Sequence, residues 1–396
     1  MKKTIIIYAI IVSSLSLVDM GTYHLVLATT NIPTVTPNVF GTYKARPPIH
    51  NLFAASTSPQ GLTPQEVKGA YHLPDRGGAG TIAIITAYDH PFIESDLAVF
   101  TRAFSLPPCT VASKCLEIHK MATKLKTNTD WSMETALDTQ WSHAVATEAK
   151  ILVVEASSDH GADLMKAVDY ARGRKDVVSV SMSWGGDEFA GETKLDEHFT
   201  SLSSSSPIAY FAASGDDGTG ASWPAVSPNV VAVGGTSLAI NDQGKFFSES
   251  GWSGSGGGIS MYEKEPVYQT DYSIPHATGK RAIPDVSYAA DPRRGFSVYH
   301  VDSNTIAKSA PRVRGWYVVG GTSAGSPQWA AIAALSASIK SPISLAKLYA
   351  DKASATYDTI FRDIKSGENG TCTYYCVARK HYDYVTGLGS PLTYKF

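Results

Sequence analysis

The chain is poor in charge. Of its 396 residues, 18% are Asp, Glu, Lys or Arg, and 34 basic residues against 36 acidic ones leave a formal net charge of −2. There is no basic excess to gather a polyanion, so nucleic acid is not an expected partner. Long apolar runs are also lacking. The nearest, Thr4 to Val18, is short of the roughly 18 to 20 residues that cross a bilayer. It follows Lys2 and Lys3, and Val26 and Ala28 then stand at the spacing of a processing site. That pattern predicts a signal peptide over residues 1–28, and hence a secreted, extracellular protein with no membrane attachment once it is removed. Repeats and long low-complexity runs are absent as well.

Cysteine is scarce. There are four, Cys109, Cys115, Cys372 and Cys376. No His or Cys stands around them at zinc-finger spacing, and export favours disulfides. Four cysteines allow three connectivities. Local pairing is the simplest, because each pair flanks its own turn-like segment.

What the chain does contain is apolar residues (43%), with 33 Gly and 20 Tyr, ample for a large core. Residues 29–60 are rich in Pro, Thr and Ser and read as a short leader or a strap over the surface. Then Thr63 as N-cap, Pro64 at the first helical position and Glu66 form a capping box, so a domain over 61–396 is expected to begin here. Beyond it, apolar runs at 81–88, 149–156, 177–185, 207–215 and 229–236 read as buried strands. Segments 95–104 and 163–173 have helical period, and a long apolar helix follows Gly321. This alternation predicts an α/β fold, a mostly parallel sheet with helices on both faces. In such folds chemistry sits at the carboxyl ends of the strands.

Three stretches carry candidate chemistry. In WSMETALDTQW, Glu134 and Asp138 are four apart and share one helix face, with no Lys or Arg between Trp131 and Glu148. The plain reading is a solvated acidic face. The apolar neighbours Trp131, Met133, Leu137 and Trp141 favour a proton-sharing acid pair instead. In FAASGDDGTG, an apolar strand runs into Asp216, in what is otherwise an ordinary turn composition. In GGTSAGSPQWAA, Ser323 precedes the long helix, where it is either an N-cap or a nucleophile near a helix N-terminus.

GTSAGSP, 321–327, resembles the nucleophile motif of subtilisin-like serine peptidases. Three features depart from that pattern. Thr86 ends the first strand in place of Asp, the only His-Gly (His160-Gly161) lacks the rest of its motif, and SGDDG puts Asp216 where an Asn is expected. Together with ETALD, these departures resemble the sedolisin (serine-carboxyl peptidase) family over roughly 61–396. The resemblance implies a subtilisin-like fold and an acid-active serine-type endopeptidase acting on protein or peptide substrates. Ser323 would be nucleophile, Glu134 base, Asp138 the acid behind it and Asp216 the oxyanion-hole donor. SMSWGGDE, 181–188, is similar to the family's substrate-binding strand. A structural calcium is also implied, held by Asp363, Ile364, Arg379, His381 and Asp383, although the family's usual Gly is replaced at 379 and 381. The family's long folded pro-domain has no counterpart in the roughly thirty residues between the signal and the domain start. This leaves open whether residues 29–60 inhibit or stay attached. His90, His143 and His160 lack motifs and are not expected to be catalytic. A monomer is expected. The competing reading is a catalytically silent, peptide-binding relative of the same fold.

Overall fold

The computed structural model describes residues 39–51, 55–302, 313–350 and 356–396, all within one compact unit. The expected signal peptide and residues 29–38 lie outside the described residues. At the start of the expected domain, α1 (Pro64–Ala70) has the capping box read from the sequence. The Thr63 hydroxyl accepts from Glu66 N, and Glu66 reaches back to Thr63 N at 2.9 Å.

The centre is an eight-stranded sheet. Its strands are β2 (Thr81–Ala87), β3 (Leu116–Lys120), β4 (Lys150–Ala156), β5 (Val177–Met182), β6 (Ala209–Ala213), β7 (Val230–Ile240), β8 (Phe246–Gly251) and β9 (Val286–Ala289), while β1 (His50–Asn51) belongs elsewhere. The order is β8-β7-β6-β5-β2-β4-β3, with β9 also on β7. Every pairing is parallel except β8 with β7. The five apolar runs fall on β2, β4, β5, β6 and β7. β3 is not marked by the sequence, because LEIHK is short and polar at Glu117, His119 and Lys120. Nor is β8, an edge strand whose face is largely exposed.

Successive side chains of a strand point to opposite faces, and the sheet uses both. Ile82, Ile84, Ile151, Val153 and Phe211 join one core with helices α2 (Ile93–Ala103), α3 (Thr129–Val145) and α5 (Gly325–Ser338). Ala83, Ile85, Leu152, Val154, Val180 and Met182 join a second core with α4 (Gly161–Arg172). β5 is the exception that proves useful. Its Ser179 and Ser181 face α5 and bond to Ala330 O and Ser326 Oγ at 2.8 and 2.9 Å. α5 is rich in Ala, so it approaches the sheet closely and is buried almost all round. Pro327 sits in its first turn, where a missing N–H breaks no helical bond.

A separate three-stranded sheet lies across this body: β1, β11 (Arg314–Gly320) and β10 (Phe296–Val301), all antiparallel. Both disulfides are local, Cys109–Cys115 and Cys372–Cys376, the simplest of the three connectivities.

Candidate active site

The site forms where the parallel strands end. α3 starts at Asn128, whose side chain accepts from Trp131 N, as N-cap chemistry requires. Fifteen of its residues are buried, so the acids at 134 and 138 do not form a solvated face. Glu134 is 1% exposed and Asp138 is 0%. One helical turn apart, they meet each other and, from β5's exit, Ser183. The Ser183 hydroxyl donates to Asp138 Oδ1 at 2.8 Å and also lies 3.2 Å from the Ser323 carbonyl.

Ser323 lies in a single 3-10 turn, Thr322–Ala324, immediately before α5, and is fully buried. It is therefore not the N-cap of α5. Its hydroxyl is 3.4 Å from Ser183 O. Glu134 feels the Ser323 hydroxyl, which favours its charged form, but burial and then the Asp138 charge hold Glu134 well above the usual carboxylate range. Burial raises Asp138 too, against the hydrogen bonds from Glu134 and Ser183. Among the described residues, neither Glu134 oxygen nor Asp138 Oδ2 has an ordinary protein donor. Two buried carboxylates in contact without a cation settle by sharing a proton, and they titrate as a pair.

Asp216 follows β6. Its Oδ1 accepts from Thr322 N at 2.8 Å and is 2.8 Å from the Thr322 hydroxyl. Its Oδ2 lies 3.1 Å from His50 Nε2. Burial pushes its pKa up, while His50 and Thr322 pull it back. Gly321 has φ +118, and a Cβ there would run into both Asp216 Oδ2 and the Pro48 carbonyl oxygen. Only glycine lets these two oxygens crowd the turn that carries Ser323.

Four expected residues thus come together from three places: α3, the loop after β6 and the turn before α5. Four residues escaped sequence reasoning. Ser183 lies within SMSWGGDE, where nothing in its spacing marks it apart from its neighbours, and Thr322 beside Ser323 carries no signal of its own. Pro48 and His50 stand in a Pro-rich stretch with no periodic signal at all. Two of the three histidines without motifs, His90 and His143, are engaged elsewhere. His143 Nε2 is 2.8 Å from Pro107 O, and His90 Nε2 is 3.1 Å from Asp96.

The expected metal residues also gather. His381 N donates to Asp363 Oδ1 at 2.8 Å, and Arg379 N to Asp383 Oδ2 at 3.0 Å. Asp383 Oδ1 takes Val385 N and Thr386 N, both at 2.8 Å. Ile364, beside Asp363, is buried. His381 holds φ +64, the left-handed region that glycine adopts freely. So the loop keeps a glycine-like bend at 381 without a glycine. Two acids here face one ammonium, Lys365, 3.4 Å from Asp363.

A parallel sheet with a serine at the foot of a buried helix and acids at the strand ends defines a class. The subtilase family model matches residues 124–363, and the chain belongs to that family. Within it, the chain is similar to sedolisin of Pseudomonas sp. (strain 101), 30% identical over 245 residues, which are 54% of this chain and 39% of sedolisin. It is similar to kumamolisin of Bacillus sp. (strain MN-32), 28% identical over 371 residues, 85% of this chain and 63% of kumamolisin. The chain therefore spans less than two thirds of the length of either relative. Among solved structures, Pseudomonas sedolisin, a serine-carboxyl proteinase complexed with pseudo-iodotyrostatin, superposes with a TM-score of 0.67 at 25% identity, over 84% of this chain and 96% of that one. Sphericase, at 18% identity and a TM-score of 0.53, shares the fold. Among the described residues, no helix is long and apolar enough to cross a membrane.

Proposed function

We propose that this protein is a serine-type endopeptidase of the serine-carboxyl kind, cutting protein or peptide substrates through an acyl-enzyme. The observation that carries the reading is the burial of Glu134 and Asp138 as a proton-sharing pair beside Ser323, with Asp216 behind the same turn. Glu134 takes the hydroxyl proton as Ser323 Oγ attacks the substrate carbonyl carbon. Asp138, held by Ser183, keeps the pair's other proton and orients Glu134 from behind, as Asp orients His in the Ser-His-Asp arrangement, so that the pair is neutral once Glu134 has taken the proton. The tetrahedral oxyanion takes hydrogen bonds from Ser323 N and from Asp216 when that carboxyl is protonated. The proton on Glu134 then passes to the leaving amine, and water repeats the sequence on the ester.

Two protonation conditions follow. The pair must carry one negative charge, since a fully protonated pair has no base. Asp216 must be protonated, since its anion repels the oxyanion. The two conditions overlap in acid, and this is the physical basis for acid activity. Burial moves both conditions upward from ordinary carboxylate values.

The same reading takes residues 1–28 as a signal peptide, places the mature monomer outside the cell, and assigns 61–396 to catalysis. It includes one structural calcium. Asp363 and Asp383 would hold it with main-chain oxygens of Ile364, Arg379 and His381. Two carboxylates against one lysine leave a charge for a hard cation to neutralise, and oxygen donors suit calcium.

The test is cleavage of a denatured protein across a pH series, with Ser323→Ala beside the native chain. Acid-peaked cleavage lost in the variant is expected. Activity peaking at neutral pH would remove Glu134 as the base. Folded protein inactive at every pH would sink the reading.

A further inference from the structure

The chain itself lies in the cleft. Arg46 and Gly185 exchange both backbone hydrogen bonds, Arg46 N to Gly185 O at 3.0 Å and Gly185 N to Arg46 O at 3.1 Å. The pairing is antiparallel. Two residues along, that register sets Pro48 against Ser183. The Pro48 carbonyl turns to Ser323 instead, accepting from Ser323 N at 3.4 Å, and its oxygen crowds the same spot beside Gly321 as Asp216 Oδ2. Downstream, His50 and Asn51 pair with Gly320 and Val319. The strand thus runs unbroken past Ser323, with its Pro48 carbonyl oxygen against Ser323 N. It is anchored at both ends. Upstream, Phe40 and Tyr43 pack against Trp223 with ring centroids 5.8 and 5.2 Å apart. In the middle, Arg46 reaches Asp217. Downstream, Ser56 bridges Trp316 and Leu62 bridges Phe296.

We propose that Arg46–His50 is a built-in occupant of the substrate cleft, seated as a substrate with the Pro48–Ile49 bond at Ser323, and that Pro48 keeps it uncut. This rests on the peptidase reading above. The physical reason lies in what proline lacks. In this register, residue 48 should donate its N–H to Ser183 O, completing the ladder begun at Gly185. Pro48 has no N–H. The Ser183 carbonyl is left to the Ser323 hydroxyl, 3.4 Å away, so that hydroxyl is divided between Ser183 O and Glu134. A substrate with an N–H there would take that carbonyl and free the hydroxyl toward Glu134. His50 adds a second restraint. Paired with Asp216 Oδ2, it favours the carboxylate, the form that cannot donate to an oxyanion.

The strap also maps the site. Arg46 stands two residues before the reacting carbonyl and its guanidinium meets Asp217. A cleft of about 360 Å³ lies here, bordered by Arg46, Pro48, Gly185, Ser214, Gly215 and Ala221. A substrate displacing the strap would use the same ladder, with a basic side chain favoured at the Arg46 place.

The full chain tests this. Hydrogen exchange at the amides of Arg46, Gly185 and Ser323 reads seating directly, with no need of activity. Slow exchange is expected in the native chain and fast exchange in an Arg46→Ala, His50→Ala double variant. A strap seated in all but about one molecule in ten masks about nine tenths of the activity. The double variant should therefore cut an unstructured protein about tenfold faster at first. Pro48→Ala restores the N–H, and that chain should cut itself between positions 48 and 49, giving two product masses absent when Ser323→Ala is added. Free exchange at the three amides in the native chain overturns the proposal, as does unchanged activity in a loosened enzyme that works. An uncut Pro48→Ala chain in an active enzyme overturns the protective role of Pro48. Slow exchange in a chain that never cleaves anything leaves the strap standing and fails the peptidase reading instead.

Discussion

Ser183 Oγ lies 2.8 Å from Asp138 Oδ1, and it donates. The same hydroxyl is 3.2 Å from the carbonyl of Ser323, so one small side chain touches both the buried acid pair and the turn that carries the nucleophile. Because the donor favours the charged form of Asp138, it keeps the pair's first ionisation lower than burial alone would set it.

Ser183→Ala should therefore lower kcat and move the acid limb of the pH profile to higher pH. A hydrogen bond to a charged group contributes about 1.5–3 kcal/mol, so the loss is about tenfold to a hundredfold. A purely structural role would lower activity without moving the limb. Rate measurements on both sides of the optimum distinguish the two.

Asp216→Asn should act on the other limb. The Asp216 carboxyl donates only while protonated, and its pKa is raised by burial, so the donor is present below that value and lost above it. An amide donates at every pH. The variant should keep much of its acid activity and extend it toward neutrality. Asp216→Ala should lose about 10²- to 10³-fold in acid, where the native carboxyl donates, and the deficit should shrink as pH rises and the native donor is lost. A profile of Asp216→Asn identical in shape to that of the native enzyme would take Asp216 out of the oxyanion role.

Chelation tests the calcium proposal. Thermal unfolding followed with and without EGTA should show a lower midpoint in chelator, restored by added calcium. Asp363→Asn should abolish that difference. A native chain whose midpoint ignores both EGTA and calcium would mean that Lys365 and the amides of Arg379 and His381 satisfy the acids unaided.

A second acid cluster sets the stability profile. Glu188, Glu192, Asp196 and Glu263 crowd one region, where burial first and neighbouring carboxylates second hold Glu192 at about 9 and Glu263 at about 8. Asp196 is at about 6, also mainly by burial. Folded carboxylates with raised pKa values bind protons that the unfolded chain has released. Stability is then full below the ordinary carboxylate range and declines as pH rises through these values. The unfolding midpoint should fall steadily from mildly acidic pH to about pH 9. Glu192→Gln should flatten that decline, and an equally steep decline in the variant would assign it elsewhere.

Much of this was written in the chain. The apolar runs on β2, β4, β5, β6 and β7 need only burial on both faces to be recognisable. Ser323, Asp216, Glu134 and Asp138 stood out because short-range spacing and strand ends are local properties. The burial of Glu134 and Asp138 was half legible, from the Trp and Leu around them. β3 and β8 were not, since an edge strand is selected by its neighbour's open hydrogen bonds more than by its own apolarity.

The sequence alone therefore determined the alternating α/β order, the capped start at Thr63 and the residue types of the site, while the cysteine pairing was left to the structure. Tertiary structure alone decided the rest. It brought Ser183 from the end of β5 to Asp138, a separation of 45 residues, and His50 to Asp216 across 166. It also laid Pro48 at Ser323, 275 residues away, and so made a Pro-rich stretch with no period of its own into the occupant of the cleft. Such contacts depend on which backbone groups remain unpaired once the sheet has closed. Spacing along the chain carries no record of that.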